Sequence, residues 1–252
     1  MLAQLITEES FGYLLVSTRM AAMVMLFPAL GDKTVPIKIR VSFAMVVSVI
    51  VYMSVKSILP TIPDNTWSLM LLLLRELLVG VMIGTVTRFI MSAAHVAGTI
   101  ISMNTGLAAA QSFDPSQGGQ SAIVSSMFNM FAVIMIFVTN THHLLILALA
   151  QSYTNFPIGE SIPFSDFAGI ALHYVATSFE LGVQLASPFI LYSLIFNVSL
   201  GLIAKLNPQF QVFFISMPLN IYMGLTLVML LMPTILTILL DHMRKFLLQL
   251  LG

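Results

Sequence analysis

The sequence contains no cysteine among its 252 residues. A disulfide framework, a thiolate metal site and thiol catalysis are therefore all excluded. Charge is almost as scarce: only 8% of residues are charged, and ten basic side chains balance ten acidic ones. A soluble domain carries about 25% charge, so an ordinary soluble enzyme is ruled out by composition. The zero net charge also leaves no basic face to release counterions from a polynucleotide, which argues against nucleic-acid binding. What fills the chain instead is apolar. Hydrophobic residues make up 58% of it, and the mean hydropathy is +1.00. These values point to an all-α, polytopic helical membrane protein. Residues 1–10 hold Glu8 and Glu9 and no basic residue, so they are not expected to form a secretory signal.

Six apolar stretches are expected as spans: 11–30, 41–59, 67–102, 122–138, 167–204 and 210–240. The third and fifth are too long for one crossing, at ~55 Å as straight helices against a ~30 Å core. Either they break or they continue beyond the hydrocarbon, inside other protein. Proline removes a backbone donor; Pro188 is expected to divide the fifth stretch and Pro218 to kink the sixth. Lys33, Lys38 and Arg40 place the first connection on the cytoplasmic side. By counting onward, the Lys- and Arg-free connection 140–166 and both termini fall outside, although Arg244 and Lys245 argue the other way. No linker divides the chain, which reads as one domain over 1–252.

Ionisable groups at membrane depth are costly and face protein or water. The third stretch carries Arg75, Glu76 and Arg88, and Thr85, Arg88, Ser92, His95, Thr99 and Ser102 follow at helical spacing. His173, Thr177, Glu180, Gln184 and Ser187 repeat the pattern in the fifth. Two readings stay open: hydrogen-bonding glue between helices, or the wall of a wet passage or partner groove. A proton relay through Glu76 and Glu180 is a special case of the second. Arg75 and Glu76 diverge by ~100° on a helix and are expected to pair elsewhere. Gly80 with Gly84, and Ala94 with Gly98, have the small-xxx-small spacing of close helix packing. Eighteen methionines supply adaptable filler or a deformable lining.

No HExxH, GxSxG, Walker or GxGxxG motif occurs. His142 and His143 are neighbours that point apart without an evident third ligand, so they read as interfacial. Neither metal nor cofactor is expected, and catalysis is not. The connection 104–121 is unusual, with Gly106, Gly118 and Gly119, the Asp114-Pro115 turn signal, and Leu107 and Phe113 among small residues. It is expected to tuck into a cavity. Lys205 near a helix end suits the last carbonyls there, and Asn207-Pro208 marks the turn of a C-terminal hairpin.

These pieces together resemble the FliR family of flagellar and type III secretion export-gate proteins. The likeness rests on Phe27-Pro-Ala-Leu-Gly31, Val35-Pro36 and Arg40; on Glu76, Gly80, Gly84, Ala97-Gly98, Gly106 and Asp114-Pro115; and on Ser152-Tyr153, Pro157-Ile-Gly159, Pro188, Asn197, Gly201 and Asn207-Pro208-Gln209. One departure is Asn140-Thr-His-His143 where the family has Gly-Gly-His. The resemblance implies a non-enzymatic subunit with long, kinked apolar helices, similar to a FliP-like part (1–165, with a plug loop at 104–121) fused to a FliQ-like hairpin (166–252). It implies one copy per assembly with FliP-type and FliQ-type subunits, a neighbouring FlhB-type switch protein, unfolded export substrates in transit, and contact with lipid of the bacterial inner membrane at the flagellar basal body. It further implies a pore plug at Gly106, Leu107, Phe113, Asp114, Pro115, Gly118 and Gly119. Arg75, Glu76, Arg88, His95, Glu180 and Gln184 would be buried polar assembly residues, and Lys205, Asn207, Pro208 and Gln209 a cytoplasmic hairpin loop. The alternative is a small-solute or ion transporter using Glu76, Arg88 and Glu180.

Overall fold

A computed structural model of the chain describes residues 2–28, 30–31, 35–63, 65–108, 123–158, 164–207, 209 and 212–251. Among them the regular structure is helical. The α-helices are α1 (Leu2–Leu26), α2 (Ile37–Val55), α3 (Thr66–Asn104), α4 (Ile123–Val138), α5 (Thr141–Asn155), α6 (Phe164–Leu206) and α7 (Val212–Leu251), and a short 3-10 turn (Lys56–Ile58) follows α2. An apolar sequence at membrane depth must satisfy its backbone within one segment, and the helix does so without an edge.

Among the described residues, four helical segments are long and apolar enough to cross a membrane: Ile37–Ile58, Thr66–Asn104, Ala168–Leu206 and Phe214–Gln249. A fifth results if α4 and α5, bent by 77° at their junction, count as one broken span. Six were expected. The first stretch is not among the segments found: its helix ends at Leu26 and carries Arg19 within the stretch. The connection 140–166 is also corrected, since most of it is α5. That helix buries Leu145, Ala148, Leu149, Ser152 and Tyr153, an i, i+3, i+4, i+7, i+8 stripe. The break before it falls at Asn140, whose φ of 57° is left-handed, a conformation Asn tolerates better than most residues.

Pro188 does not divide the fifth stretch, because α6 runs unbroken through it. A proline at 188 leaves the carbonyl of residue 184 without its helical donor. The Ser187 hydroxyl donates to the Gln184 carbonyl at 2.7 Å and replaces that bond. Likewise α7 stays helical through Pro218 and Pro233.

The chain forms two compact units. One comprises residues 1–90, 136–175 and 242–252; the other comprises 91–135 and 176–241. In the first, α1 packs on α2, and α2 also meets α5. Arg40 fastens the α1–α2 connection, donating to the Val35 carbonyl at 2.9 Å and the Gly31 carbonyl at 3.3 Å. In the second, α4 approaches α3 where Gly98 meets Ser125, and the later part of α6 meets the earlier part of α7 through Tyr192 and Asn220.

Candidate functional site

The first unit is organised around one guanidinium. Arg19 falls on the face of α1 that also buries Leu15, Val16, Met20 and Met23, and it is 0% exposed. Its Nε donates to Glu76 Oε2 at 2.6 Å and its Nη2 to Glu76 Oε1 at 3.0 Å. Such a two-point fork is the strong form of an ion pair. The remaining donors reach the C-terminal end of α5: Nη1 to the Ser152 carbonyl and Nη2 to the Phe156 carbonyl, each at 3.0 Å. The Ser152 carbonyl also accepts from the Phe156 amide at 2.9 Å, whereas the Phe156 carbonyl at the C-cap lies past the helical ladder, so Arg19 caps the end of α5 while neutralising α3. Its Cζ also stands 4.0 Å from the ring centroid of Tyr153, a stacking geometry suited to a planar cation. Three helices thus meet on one side chain.

Close backbone approach makes the fork possible. A Cβ placed on Gly80 would stand 2.5 Å from the Arg19 carbonyl oxygen, and one on Gly84 would stand 2.7 Å from Leu26 Cβ. The small-xxx-small pair therefore seats α1 against α3 at the level of the ion pair. Gly98 serves the second unit in the same way, because a Cβ there would overlap the Ser125 backbone of α4. His95, one turn earlier, has its Nδ1 in hydrogen-bond contact with the Ser125 hydroxyl.

The other polar residues distribute differently. Arg88 is exposed, and among the described residues it has no ion pair. His173, Glu180, Gln184 and Ser187 are exposed along α6, and Gln184 Nε2 donates to Glu180 Oε1 at 3.0 Å. Ser102, at the end of the α3 stripe, is buried. Thr85 and Thr99 turn their hydroxyls back to the carbonyls of Val81 and His95, satisfying themselves locally. Arg75 is half-buried. Among the described residues, no group of three or more His, Asp or Glu is arranged to hold a metal ion.

Of the expected plug residues, Gly106 and Leu107 are described and half-buried. Phe113, Asp114, Pro115, Gly118 and Gly119 lie outside the described residues, as does Pro208. Lys205, Asn207 and Gln209 are exposed at the hairpin end.

A second polar cluster surrounds the end of α3. Tyr192 of α6 donates its hydroxyl to Asn220 Oδ1 at 3.0 Å, and Asn220 Nδ2 donates to the Asn104 carbonyl at 3.4 Å. Neither this cluster nor Arg19 was singled out from the sequence. For Arg19 a signal existed: one lone cation in stretch 11–30 and a carboxylate in stretch 67–102 are natural partners at membrane depth. For Asn220 none did, since a single amide in a helix has no distinctive spacing.

Residues 11–246 match the family model described as bacterial export proteins, family 1. The chain is similar to the flagellar biosynthetic protein FliR of Caulobacter vibrioides, at 41% identity over 233 residues that cover 92% of this chain and 93% of that protein. It is 30% identical over 243 residues to the protein of the same name from Aquifex aeolicus, covering 96% and 93%. A third, from Bacillus subtilis, is 27% identical over 231 residues, covering 89% and 87%.

Proposed function

The chain belongs to the bacterial export proteins, family 1, within the FliR group, and from that membership we propose that it is a non-enzymatic structural subunit of the flagellar type III export gate. One copy joins FliP-type and FliQ-type subunits in the inner membrane, within the flagellar basal body. Together they form a helical pore for unfolded flagellar substrates, with an FlhB-type switch protein near the exposed Lys205, Asn207 and Gln209. Residues 1–165 correspond to the FliP-like part and 166–252 to the FliQ-like hairpin. The glycine-rich segment from Gly106 to Gly119 plugs the closed channel, with Phe113 as its large apolar contact.

One observation carries this reading. From residue 190 to residue 206 no position of α6 is buried by the rest of the chain, and nearer its middle the same helix presents Glu180, Gln184 and Ser187 at its surface. A carboxylate and an amide on a helix that faced lipid all round would be costly. Such a surface suits neighbouring protein subunits. The transporter alternative has less support, because both oxygens of Glu76 are taken by Arg19.

Native mass spectrometry on the chain, extracted gently from its host membrane, tests the assignment. A discrete complex with two other small apolar proteins, holding this chain once, is expected. A lone chain or homodimer that binds a small solute would overturn it. The plug is tested separately by deleting 106–119: assembly should survive while membranes leak small ions, and unchanged permeability removes the plug.

A further inference from the structure

The C-terminal end of α3 presents carbonyls that its own ladder does not satisfy. Carbonyls of this last turn find donors locally. Asn104 Nδ2 donates to the Ile100 carbonyl at 2.8 Å, and the Thr105 amide and hydroxyl both donate to the Ile101 carbonyl at 2.9 Å. Gly106 then turns the chain with a φ of +76°, the left-handed conformation that ends many helices. The Asn104 carbonyl takes its donor from another helix, namely Asn220 of α7.

Asn220 is held ready for this contact from its other side. The Tyr192 hydroxyl donates to Oδ1, which fixes the amide orientation and aims Nδ2 at α3. A Cβ on Gly106 would stand 3.1 Å from that Nδ2, so the left-handed turn also leaves room for the amide. One turn along α7, Gly224 lets Thr105 lie directly on the helix backbone, because any Cβ there would overlap the Thr105 side chain. The hairpin therefore meets the end of α3 at two points, one hydrogen-bonded and one packed.

We propose that Asn220 is a positioning residue that tethers the end of α3 to the α6–α7 hairpin, so that displacement of α7 is transmitted to residues 105–108. A helix end capped from within its own segment would stay put when a neighbour moves. One capped by a neighbour's amide follows it or loses its cap. This tether stands on contacts within the chain, independent of the export-gate reading.

The absence of native cysteine makes spin-label distance measurement straightforward. Labels on Leu107→Cys and Leu225→Cys, in the full chain extracted from membranes, report the tether. Labels on Met103→Cys and Ser126→Cys report α3 against α4, which pack through Gly98. A single narrow 107–225 distance is expected for the otherwise unaltered chain. Asn220→Leu should add a second, longer population. An interhelical hydrogen bond in a membrane shifts such an equilibrium by on the order of three- to fifteen-fold. Tyr192→Phe keeps the ring and removes only the hydroxyl, so it should give a smaller shift of the same kind while the 103–126 distance stays narrow. An unchanged 107–225 distribution in both variants would overturn the tether. So would equal broadening of both label pairs in Tyr192→Phe, which would make the cluster general packing.

Discussion

Two polar sites on long apolar helices are treated in opposite ways. In the first unit Glu76 is 2% exposed and meets a guanidinium that is itself fully buried. In the second, Glu180 is exposed and is hydrogen-bonded to Gln184 on its own helix. The helices differ beyond these sites as well: α3 buries Val79, Met82, Ile83 and Val86 just after Glu76, whereas α6 buries no residue from 190 to 206. The chain completes its own interior around Arg19 and leaves residues 190–206 of α6 uncovered. An internally neutralised carboxylate is satisfied within the fold, whereas an exposed one stays open to contacts outside the chain.

The largest expected effect comes from breaking the internal pair. Glu76→Ala strands a buried guanidinium and should cost about 3–5 kcal/mol, read as loss of the protein from membranes and a collapsed thermal midpoint in detergent. Arg19→Met combined with Glu76→Leu should recover most of that loss, because apolar replacement of a buried pair is often near neutral. Arg19→Lys should not, since an ammonium cannot span the carboxylate and two carbonyls as a planar fork does. A stable Glu76→Ala single variant would dissolve the contrast.

Next in size is the seat beneath the pair. Gly80→Leu forces a side chain against the Arg19 carbonyl and should destabilise the chain by about 1–3 kcal/mol, measured as a lower unfolding midpoint. The contrast sharpens at Glu180. Glu180→Leu should change the midpoint of the isolated chain by less than about 0.5 kcal/mol yet reduce recovery of the assembled complex on native gels. Equal damage to both would mean that Glu180 itself is needed within the isolated chain.

The smallest effect concerns Glu9 at the start of α1. Its carboxylate accepts from Lys56 and from the Tyr52 hydroxyl, and these bonds, Lys56 first, hold its pKa below the usual carboxylate value. A lowered folded-state pKa means that the clasp contributes fully above the ordinary carboxylate range and is lost as pH falls through the lowered value. Glu9→Gln should therefore differ slightly from the parent near neutral pH and match it in strong acid. A gap that persists in acid would assign the effect to packing.

Much of the architecture was legible in the sequence. Long apolar runs dictate helices, because hydrocarbon leaves the backbone no other solvent, and Gly80, Gly84 and Gly98 marked close helix contacts through their spacing alone. Helix α5 was missed although its buried stripe from Leu145 to Tyr153 has helical period. Counting spans from the first connection makes 140–166 an outer loop, and its lack of Lys and Arg agrees with that reading. Pro188 misled for a different reason: its effect depends on one hydroxyl, that of Ser187, donating to the carbonyl that proline leaves bare.

By itself, then, the sequence determined that this is a helical membrane protein without thiol chemistry and with too little charge for a soluble fold. Those conclusions follow from composition and period, which are local properties. Only tertiary structure decided that Arg19 belongs to Glu76, 57 positions away, that the same guanidinium caps α5, and that Asn220 caps α3. A hydrogen bond depends on angstroms and orientation, and the packing of distant segments sets both.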